Sequence, residues 1–309
     1  VRALRERFDI YHANDLNTLP AALWAARLTG RRFVYDAHEL YCEEEADLGD
    51  AEVRRRFLVE GQARAAAAVI TVSELLANEM QTLHGWAQPP LVIRNLPPLV
   101  SIPDPQTRPL GEPGTLRLLY QGANVGLSQL GTDDVLRALA RLKKNPRVSL
   151  SYTIRGRLTP SEEVGLRRRI EELGLADRVR ICPPVSGAKA LVEAAVAEGH
   201  DVGLAPHLAM AKSWILSTGS KLYEYQNAGM AVVASDLLGN RVAAGEAGVY
   251  YPPGDDAALA EVLVALAHDR TRLRRLQVLG RRRAERELCW DRERSRLIDL
   301  YERLAAERG

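Results

Sequence analysis

A lysine and a glutamate three residues apart mark a segment whose residue types could bind a polyanion. Between Asp201 and Ser235 the sequence predicts a strand, a polar loop, a short helix from Lys221 and a second buried strand. The N–H groups around Ser220 precede that helix and predict an anion site, because first-turn amides have no intrahelical acceptor. Lys221 opposes the helix dipole by about 0.3–1 kcal/mol, which favours a shared anion such as a diphosphate. Glu224 lies on the same helix face and could accept vicinal ribose hydroxyls, although a plain surface Lys–Glu pair is the alternative.

Three of the six histidines follow predicted strands: His12, His38 and His207. In open parallel sheets, ligands bind outside the carboxyl ends of the strands. A histidine there can donate to a ligand hydroxyl or phosphate and titrates near neutrality, although it could also simply bond the loop backbone. The charged segment Tyr35–Leu40 favours a site at its strand end. We expect the acidic run Glu43–Glu45 to be a solvated loop and not a metal site.

Composition and missing motifs exclude several classes of protein. The 309 residues include 42 Lys and Arg against 40 Asp and Glu, so the net charge of 42 − 40 = +2 argues against a strongly basic nucleic-acid binder. A P-loop, a G-x-G-x-x-G unit after a strand and a G-x-S-x-G elbow are all missing, which argues against P-loop, dinucleotide and serine-nucleophile enzymes. No Asp-x-Asp pair occurs, so the commonest loop for a metal–diphosphate is missing and no metal is expected.

Cysteine usage and hydropathy favour an intracellular location. The three cysteines, Cys42, Cys182 and Cys289, form no Cys-x-x-Cys pair, so neither a disulfide framework nor a zinc site is indicated. The sequence contains no apolar run of the length that a membrane-spanning helix needs. We therefore expect a cytoplasmic protein, with peripheral contact at the inner membrane face as a further option.

Alternating short strands and helices predict two α/β halves. In the first half we expect strands at 9–13, 32–36, 68–72 and 91–94, and helices at 19–28, 53–67 and after Ser73 as N-cap. In the second half we expect strands at 116–121, 148–154, 179–182, 201–205 and 231–235, and helices at 132–142, 160–173, 221–227, 256–268 and 272–304. Strand–helix–strand spacing of this kind requires parallel βαβ units.

Six prolines between residues 95 and 113 predict an interdomain linker. The predicted organisation is a first domain at 1–98, the linker at 99–115, a second domain at 116–288 and a final helix at 289–309. The first domain has only four predicted strands, preceded by a helix with Val1, Leu4 and Phe8 on one face. Because doubly wound sheets usually have five or six strands, we expect one to three strands to be missing at its N-terminus.

Several segments, in this order and spacing, resemble the retaining glycosyltransferases of the GT-B fold, family 4 (group 1). They are His12–Asp15, Val34–Leu40, Ala68–Glu74, Ile93–Asn95, Ser220–Gly229, Val232–Ser235 and the start of the last helix at 290–293. The resemblance implies two doubly wound Rossmann-like domains facing a cleft, the first incomplete here, and a last helix crossing back to the first domain. It implies transfer of a sugar from a nucleoside-diphosphate sugar to an acceptor hydroxyl, with retention and without a metal or other cofactor.

The resemblance also assigns roles to individual residues. His38 would face the donor sugar, and Glu224 would hold the ribose as the second glutamate of the family's Glu-x7-Glu motif. Gly122 would open the loop under the donor phosphates, and Gly156 would lie near the base. His12, Asp15 and His207 are further candidates on the acceptor or donor side.

Two positions depart from the family pattern. Leu216 stands where the first glutamate is expected, and Ala123-Asn124 follow Gly122 where an arginine or lysine is common. Asn124 remains a donor-binding candidate. Lys221 is therefore the leading candidate to balance the negative charge of the diphosphate, together with Ser220 and with Arg155 or Arg157.

The expected partners are a nucleoside-diphosphate sugar and a sugar or lipid-linked acceptor, with no nucleic acid. The arginine-rich helix at 272–286 is compatible with contact to a membrane surface, although a solvated helix face is the simpler interpretation. A sugar-nucleotide epimerase of the same fold and a non-catalytic sugar-nucleotide-binding protein are the alternative functions.

Overall fold

A computed structural model describes residues 8–44, 47–127 and 131–307 of the chain. These residues form two compact units. The first contains the described residues of 1–95, 210–218 and 291–309, and the second contains those of 96–209 and 219–290. Each unit is built on a parallel sheet, which confirms the predicted α/β class. The helix predicted at the N-terminus falls outside the described residues except for Phe8, as does Glu45 of the acidic run.

The first unit has a four-stranded parallel sheet in the order β1-β2-β3-β4. Its strands are β1 (Ile10–Asn14), β2 (Arg32–Ala37), β3 (Ala68–Thr71) and β4 (Leu91–Val92). The helices between them are α1 (Asp15–Thr29), α2 (Asp50–Glu60) and α3 (Glu74–His84). Helices α1 and α3 contribute their apolar residues to a core in which Tyr35, Leu76 and Met80 are fully buried, whereas Glu60 is the one buried residue of α2.

Helix ends in this unit follow local sequence signals. Gly30 adopts a left-handed conformation with φ 65 after α1, as expected for a glycine stop. The Ser73 hydroxyl accepts the Leu76 N–H at 3.2 Å, which confirms the predicted N-cap of α3. The long helix predicted at 53–67 is α2 followed by a 3-10 turn, Gly61–Ala65.

The second unit has a six-stranded parallel sheet in the order β10-β9-β8-β5-β6-β7. The strands are β5 (Thr115–Asn124), β6 (Ser149–Arg157), β7 (Val179–Cys182), β8 (Val202–Ala205), β9 (Ala231–Ser235) and β10 (Gly248–Tyr251). The helices are α4 (Thr132–Leu142), α5 (Pro160–Glu172), α6 (Ala188–Ala197), α8 (Ser220–Asn227), α9 (Leu238–Ala244), α10 (Asp256–His268) and α11 (Arg270–Arg286). Two further helices, α7 (Lys212–Leu216) and α12 (Trp290–Ala306), contribute to the first unit, apart from Trp290.

Strand order reverses between β5 and β8. From β5 the chain first adds β6 and β7 on one side, and then returns to place β8 and β9 on the other. In doubly wound sheets this switch point opens a crevice at the carboxyl ends of the two central strands. We therefore expect a ligand crevice in the second unit at the carboxyl ends of β5 and β8.

Helix α8 lies unusually close to β8 because Gly203 has no side chain. A Cβ atom built on Gly203 would come within 2.2–2.6 Å of the Tyr225 ring. The Tyr225 hydroxyl accepts the Gln121 N–H at 3.0 Å and donates to the Leu204 carbonyl at 3.1 Å. Tyr225 thus connects α8 to both central strands beside the switch point.

The chain path of one segment differs from the prediction. Residues 210–218, expected in the second domain and partly as a polar loop, contain α7 and pack in the first unit, where Leu216 joins the core. The proline-rich segment, predicted as the interdomain linker, packs on the second unit. Within it, the Val100 N–H donates to Asn227 Oδ1 at 3.1 Å, and Arg108 donates to the Gly229 carbonyl at 3.0 Å.

Besides α7, several elements were missed or merged in the sequence prediction. Helices α6 and α9 and strand β10 were not expected, and the single helical stretch at 272–304 is divided into α11 and α12. The chain turns between these two helices because Leu288 and Cys289 are buried there. Among the described residues, none of the helices has both the length and the apolar character required to cross a bilayer.

We expect Gly203→Ala to lower the free energy of unfolding by about 1–3 kcal/mol, because the added methyl group overlaps the Tyr225 ring in a packed core. Urea denaturation followed by circular dichroism measures the change.

Gly165→Ala is the matched control. Gly165 lies inside α5, and a Cβ there would meet no atom within 4 Å. We expect this variant to be more stable by about 0.5–1 kcal/mol, since alanine is the better helix former. A Gly203→Ala protein as stable as wild type would contradict the close approach of helix and strand.

Candidate active site

Polar residues collect at the switch point of the second unit. Gln121 and Gly122 lie near the carboxyl end of β5, and His207 follows β8 by two residues. The first turn of α8 brings Ser220 and Lys221 to the same place, since Lys221 reaches His207. The residues predicted from the Lys–Glu spacing and from the strand ends are therefore neighbours within one unit.

The Lys221 ammonium is the central positive charge of this site. Its Nζ lies 2.9 Å from His207 Nε2 and 5.7 Å from the centroid of the Tyr120 ring. Lysine is only a donor, so Nε2 of His207 accepts and the imidazole is neutral in this contact. Burial, with the Lys221 charge adding to it, lowers the pKa of His207 well below its usual value. The pair therefore carries one positive charge, held at a helix start whose dipole is also positive.

Glu224 lies one turn further along α8 and is only 5% exposed. Its Oε2 accepts from Gln121 Nε2 at 2.7 Å. Burial raises the pKa of Glu224, whereas contacts with Gln121, Lys221 and Ser220 act in the opposite direction. A buried carboxylate with few donors is a strong acceptor for ligand hydroxyls.

Two glycines bring β5 and β6 together beside the lysine. A Cβ on Gly156 would lie 2.5 Å from the Gly122 carbonyl oxygen, and one on Gly122 would lie 3.7 Å from Cε of Lys221. Gly122 was predicted to open a loop after the strand, but β5 continues to Asn124 with a register shift after Gln121. The predicted end of β5 at residue 121 is therefore too early. Hydrogen bonds to β6 hold the following residues in the sheet as far as Asn124.

The two arginines considered as helpers of Lys221 differ in their surroundings. Arg155 is 2% exposed and forms an ion pair with Glu198, so its charge is balanced inside the protein. Arg157 is exposed and donates weakly to the Ala123 carbonyl at 3.4 Å. Of the two, Arg157 is the one whose charge is not already balanced by an ion pair in the described structure.

The first unit has its own polar cluster, at the carboxyl ends of β1 and β2. Nδ1 of His38 lies 3.0 Å from Asp15 Oδ1, and Nε2 lies 3.6 Å from Asp36 Oδ1. The Tyr41 hydroxyl donates to the same oxygen of Asp15. Among the described residues, Asp15 is the one non-glycine residue with positive φ, at 64, a strained conformation that is common at functional sites.

His12 extends this cluster to the last helix. Its Nε2 lies 3.3 Å from Asp36 Oδ2, and its Nδ1 hydrogen-bonds the Tyr301 hydroxyl of α12. Asp36 therefore lies between two histidines. Polar contacts run without interruption from Tyr41 through the cluster to Tyr301.

The structure brings the predicted residues together in two separate sets. Ser220, Lys221, Glu224, Gly122, Gly156 and His207 form the set in the second unit, with Asn124 exposed at the end of β5, and His12, Asp15 and His38 form the set in the first. Sequence reasoning missed the roles of Gln121, Tyr120, Asp36 and Tyr301. A signal existed for Gln121, a polar residue at the end of an otherwise apolar run, and for Asp36, which lies in the charged segment Tyr35–Leu40.

Metal ions in proteins are held by sets of His, Cys, Asp or Glu side chains. Within residues 8–44, 47–127 and 131–307, no group of three or more His, Cys, Asp or Glu side chains is arranged to hold a metal ion. The roles given to individual residues by resemblance stay predictions.

Two family models match the chain. Residues 1–95 match the model of the glycosyl transferase 4-like domain, and residues 116–269 match that of glycosyl transferases group 1. A phosphatidyl-myo-inositol mannosyltransferase of Mycobacterium leprae is 36% identical over 134 residues. That alignment covers 43% of this chain and only 33% of the relative.

Solved structures share the fold at low sequence identity. Sucrose-phosphate synthase from Thermosynechococcus elongatus superposes with a TM-score of 0.77 and 19% identity, covering 97% of this chain and 74% of that one. Anabaena HepE in complex with UDP-glucose gives a TM-score of 0.76 and 18% identity, covering 99% of this chain and 81% of that one.

Both parts of the chain thus match glycosyltransferase models, and the fold prediction is confirmed by the structural matches. The chain belongs to the group 1 glycosyltransferases of the GT-B fold, family 4.

Proposed function

We propose that the protein transfers a glycosyl group from a nucleoside-diphosphate sugar to the hydroxyl group of an acceptor. The observation that carries this proposal is that the Lys221 ammonium and the Glu224 carboxylate lie on the same face of α8 at the switch point. Family membership supports it, and so does HepE, a protein of the same fold whose structure contains UDP-glucose. An epimerase or a passive binding protein would need the same donor site, but neither is favoured by the comparisons.

In the proposed donor complex, the two charged residues bind different parts of the nucleotide. Glu224 accepts hydrogen bonds from the ribose hydroxyls, and Lys221 faces the diphosphate together with the N–H groups of the first turn of α8. Gly122 places no side chain between the β5 backbone and Lys221, and Gly156 lets β6 approach β5 closely at this point.

The proposed reaction breaks the bond between C1 of the sugar and the diphosphate oxygen. Negative charge grows on the leaving diphosphate, and Lys221 stabilises it in the transition state more than in the ground state. A diphosphate oxygen takes the proton of the acceptor hydroxyl while that hydroxyl attacks the same face of the sugar. The configuration at C1 is therefore retained, and the protein's own cation replaces a metal.

We propose that the His12–Asp15–Asp36–His38 cluster of the first unit recognises sugar hydroxyls, because its carboxylates accept and its imidazoles donate hydrogen bonds. A lipid-linked acceptor is one candidate class. The relative from Mycobacterium leprae, named for phosphatidyl-myo-inositol, supports it.

We expect Lys221→Ala to reduce kcat by about 10²–10³-fold, because the variant loses a preorganised charge at the leaving group. Release of the nucleoside diphosphate in the presence of acceptor measures the rate. Lys212→Ala is the control: Lys212 is an exposed residue of α7 that pairs with Glu79 at 2.5 Å, and its loss should change the rate little. Equal rates in the two variants would remove Lys221 from the mechanism.

We expect Glu224→Gln to weaken binding of the nucleoside diphosphate by about 10- to 100-fold, since a hydrogen bond to a charged acceptor contributes about 1.5–3 kcal/mol. Calorimetry with the ribonucleotide and with its 2′,3′-dideoxy analogue separates the ribose contact from other effects. The dideoxy analogue should bind wild type and variant alike. An equal loss with both nucleotides would contradict a ribose contact.

We expect excess EDTA to leave the transfer rate unchanged, because Lys221 supplies the positive charge at the diphosphate. Assays in metal-free buffer, with and without added Mg²⁺ or Mn²⁺, test this. A rate that collapses with EDTA and recovers with one of these ions would overturn the proposed metal independence.

A further inference from the structure

Helix α11 has a strongly cationic outer face. Its buried face, with Leu273, Leu276, Gln277, Gly280 and Ala284, packs into the second unit. Four arginines on the opposite face are exposed: Arg272, Arg275, Arg282 and Arg286. Their spacing of three, seven and four residues places them along one side of the helix. We call these four residues the arginine stripe.

The arginine stripe forms no ion pair with the described residues. Within the described part of the chain, no carboxylate lies within 4.0 Å of any of its four guanidinium groups, whereas Arg281 and Arg283 of the same helix pair with Glu285 at 2.7 Å and Glu287 at 3.4 Å. The whole chain has a net charge of only +2. Four positive charges on one helix face are therefore a local concentration and not a general property of the surface.

An apolar floor interrupts the stripe at its centre. Val278 and Leu279 are half-buried between Arg275 and Arg282. These residues line an open groove of about 840 Å³ whose walls are completed by Gln106, Glu246, Thr271 and Arg274. Arginines around an apolar floor match a ligand that has anionic groups beside hydrocarbon.

The length of the stripe separates a surface from a single small anion. Arg272 and Arg286 are fourteen residues apart, which is about 21 Å along an α-helix. One phosphate cannot contact both ends, whereas a layer of lipid head groups can contact all four arginines at once. Nucleic acid also carries repeated phosphates, but it offers nothing to the apolar floor, and the nearly neutral chain lacks the basic footprint of nucleic-acid binders.

We propose that the arginine stripe and its apolar floor dock the second unit on an anionic lipid surface. The guanidinium groups contact head-group phosphates, and Leu279 lies at the boundary with the acyl chains. This docking surface is distinct from the donor site at the switch point. Its binding is measured without donor or acceptor, so its failure would not bear on the proposed transfer reaction.

Vesicle flotation with the full chain tests the proposal. Vesicles of phosphatidylcholine mixed with phosphatidylglycerol should bind the protein, and vesicles of phosphatidylcholine alone should not. Binding should weaken as salt is raised, because exposed charges are screened. The variant with Arg272→Gln, Arg275→Gln, Arg282→Gln and Arg286→Gln should bind at least about tenfold more weakly.

A charge-matched variant provides the control. Lys144, Arg147, Arg167 and Arg168 are four exposed cations elsewhere in the second unit, and their replacement by glutamine removes the same charge. Vesicle binding should survive this replacement, and a nucleoside diphosphate should still raise the melting temperature of both variants. The proposal is overturned if wild type ignores anionic vesicles, if the control variant loses binding equally, or if duplex DNA competes the protein off the vesicles.

Discussion

The position of the site in the second unit depends on one tyrosine hydroxyl held between two strands. Tyr225 accepts a hydrogen bond from the backbone of β5 and donates one to the backbone of β8. Burial raises the pKa of Tyr225 well above its usual value, so the hydroxyl stays protonated and can do both. Gly203 provides the space that the ring needs. Together with the hydrogen bonds of Gln226 to the Ala243 carbonyl and of Asn227 to the Pro98 carbonyl, this contact anchors the eight-residue helix α8 and so positions the side chains that it presents at the switch point.

The charges at that site are arranged against their local preferences. Lys221 lies at the positive end of a helix beside a histidine, and Glu224 is buried where ionisation is disfavoured. Each arrangement is unfavourable in the empty protein. In the proposed donor complex the diphosphate and the ribose hydroxyls offset both costs, and groups with perturbed pKa values often mark binding sites for this reason.

Much of this could be predicted from sequence, because the signals are local. Helices α4 and α10 and strands β7 and β9 have the predicted bounds, since their apolar periodicity and end residues are clear. The Lys221–Glu224 pair was also found by its spacing. The contact of His12 with Tyr301 could not be found, because 289 residues separate the partners and no local pattern connects them. Helix α7 was missed for a similar reason: five residues give too little periodicity, and only tertiary packing decides which unit they join.

The order of the chain has a consequence for synthesis. The sheet of the first unit precedes the second unit in the chain, yet the first unit is completed by α7 and by α12, which come after much or all of the second unit. Arg94 of the first unit donates from Nη1 to Oε1 of Glu293 in α12 at 2.9 Å, and Glu293 is only 2% exposed. Domains normally fold one after another as they leave the ribosome. Here the sheet of the first unit is synthesised before the second unit and α12 after it, so the surface that α12 covers stays exposed on the nascent chain while the second unit is made.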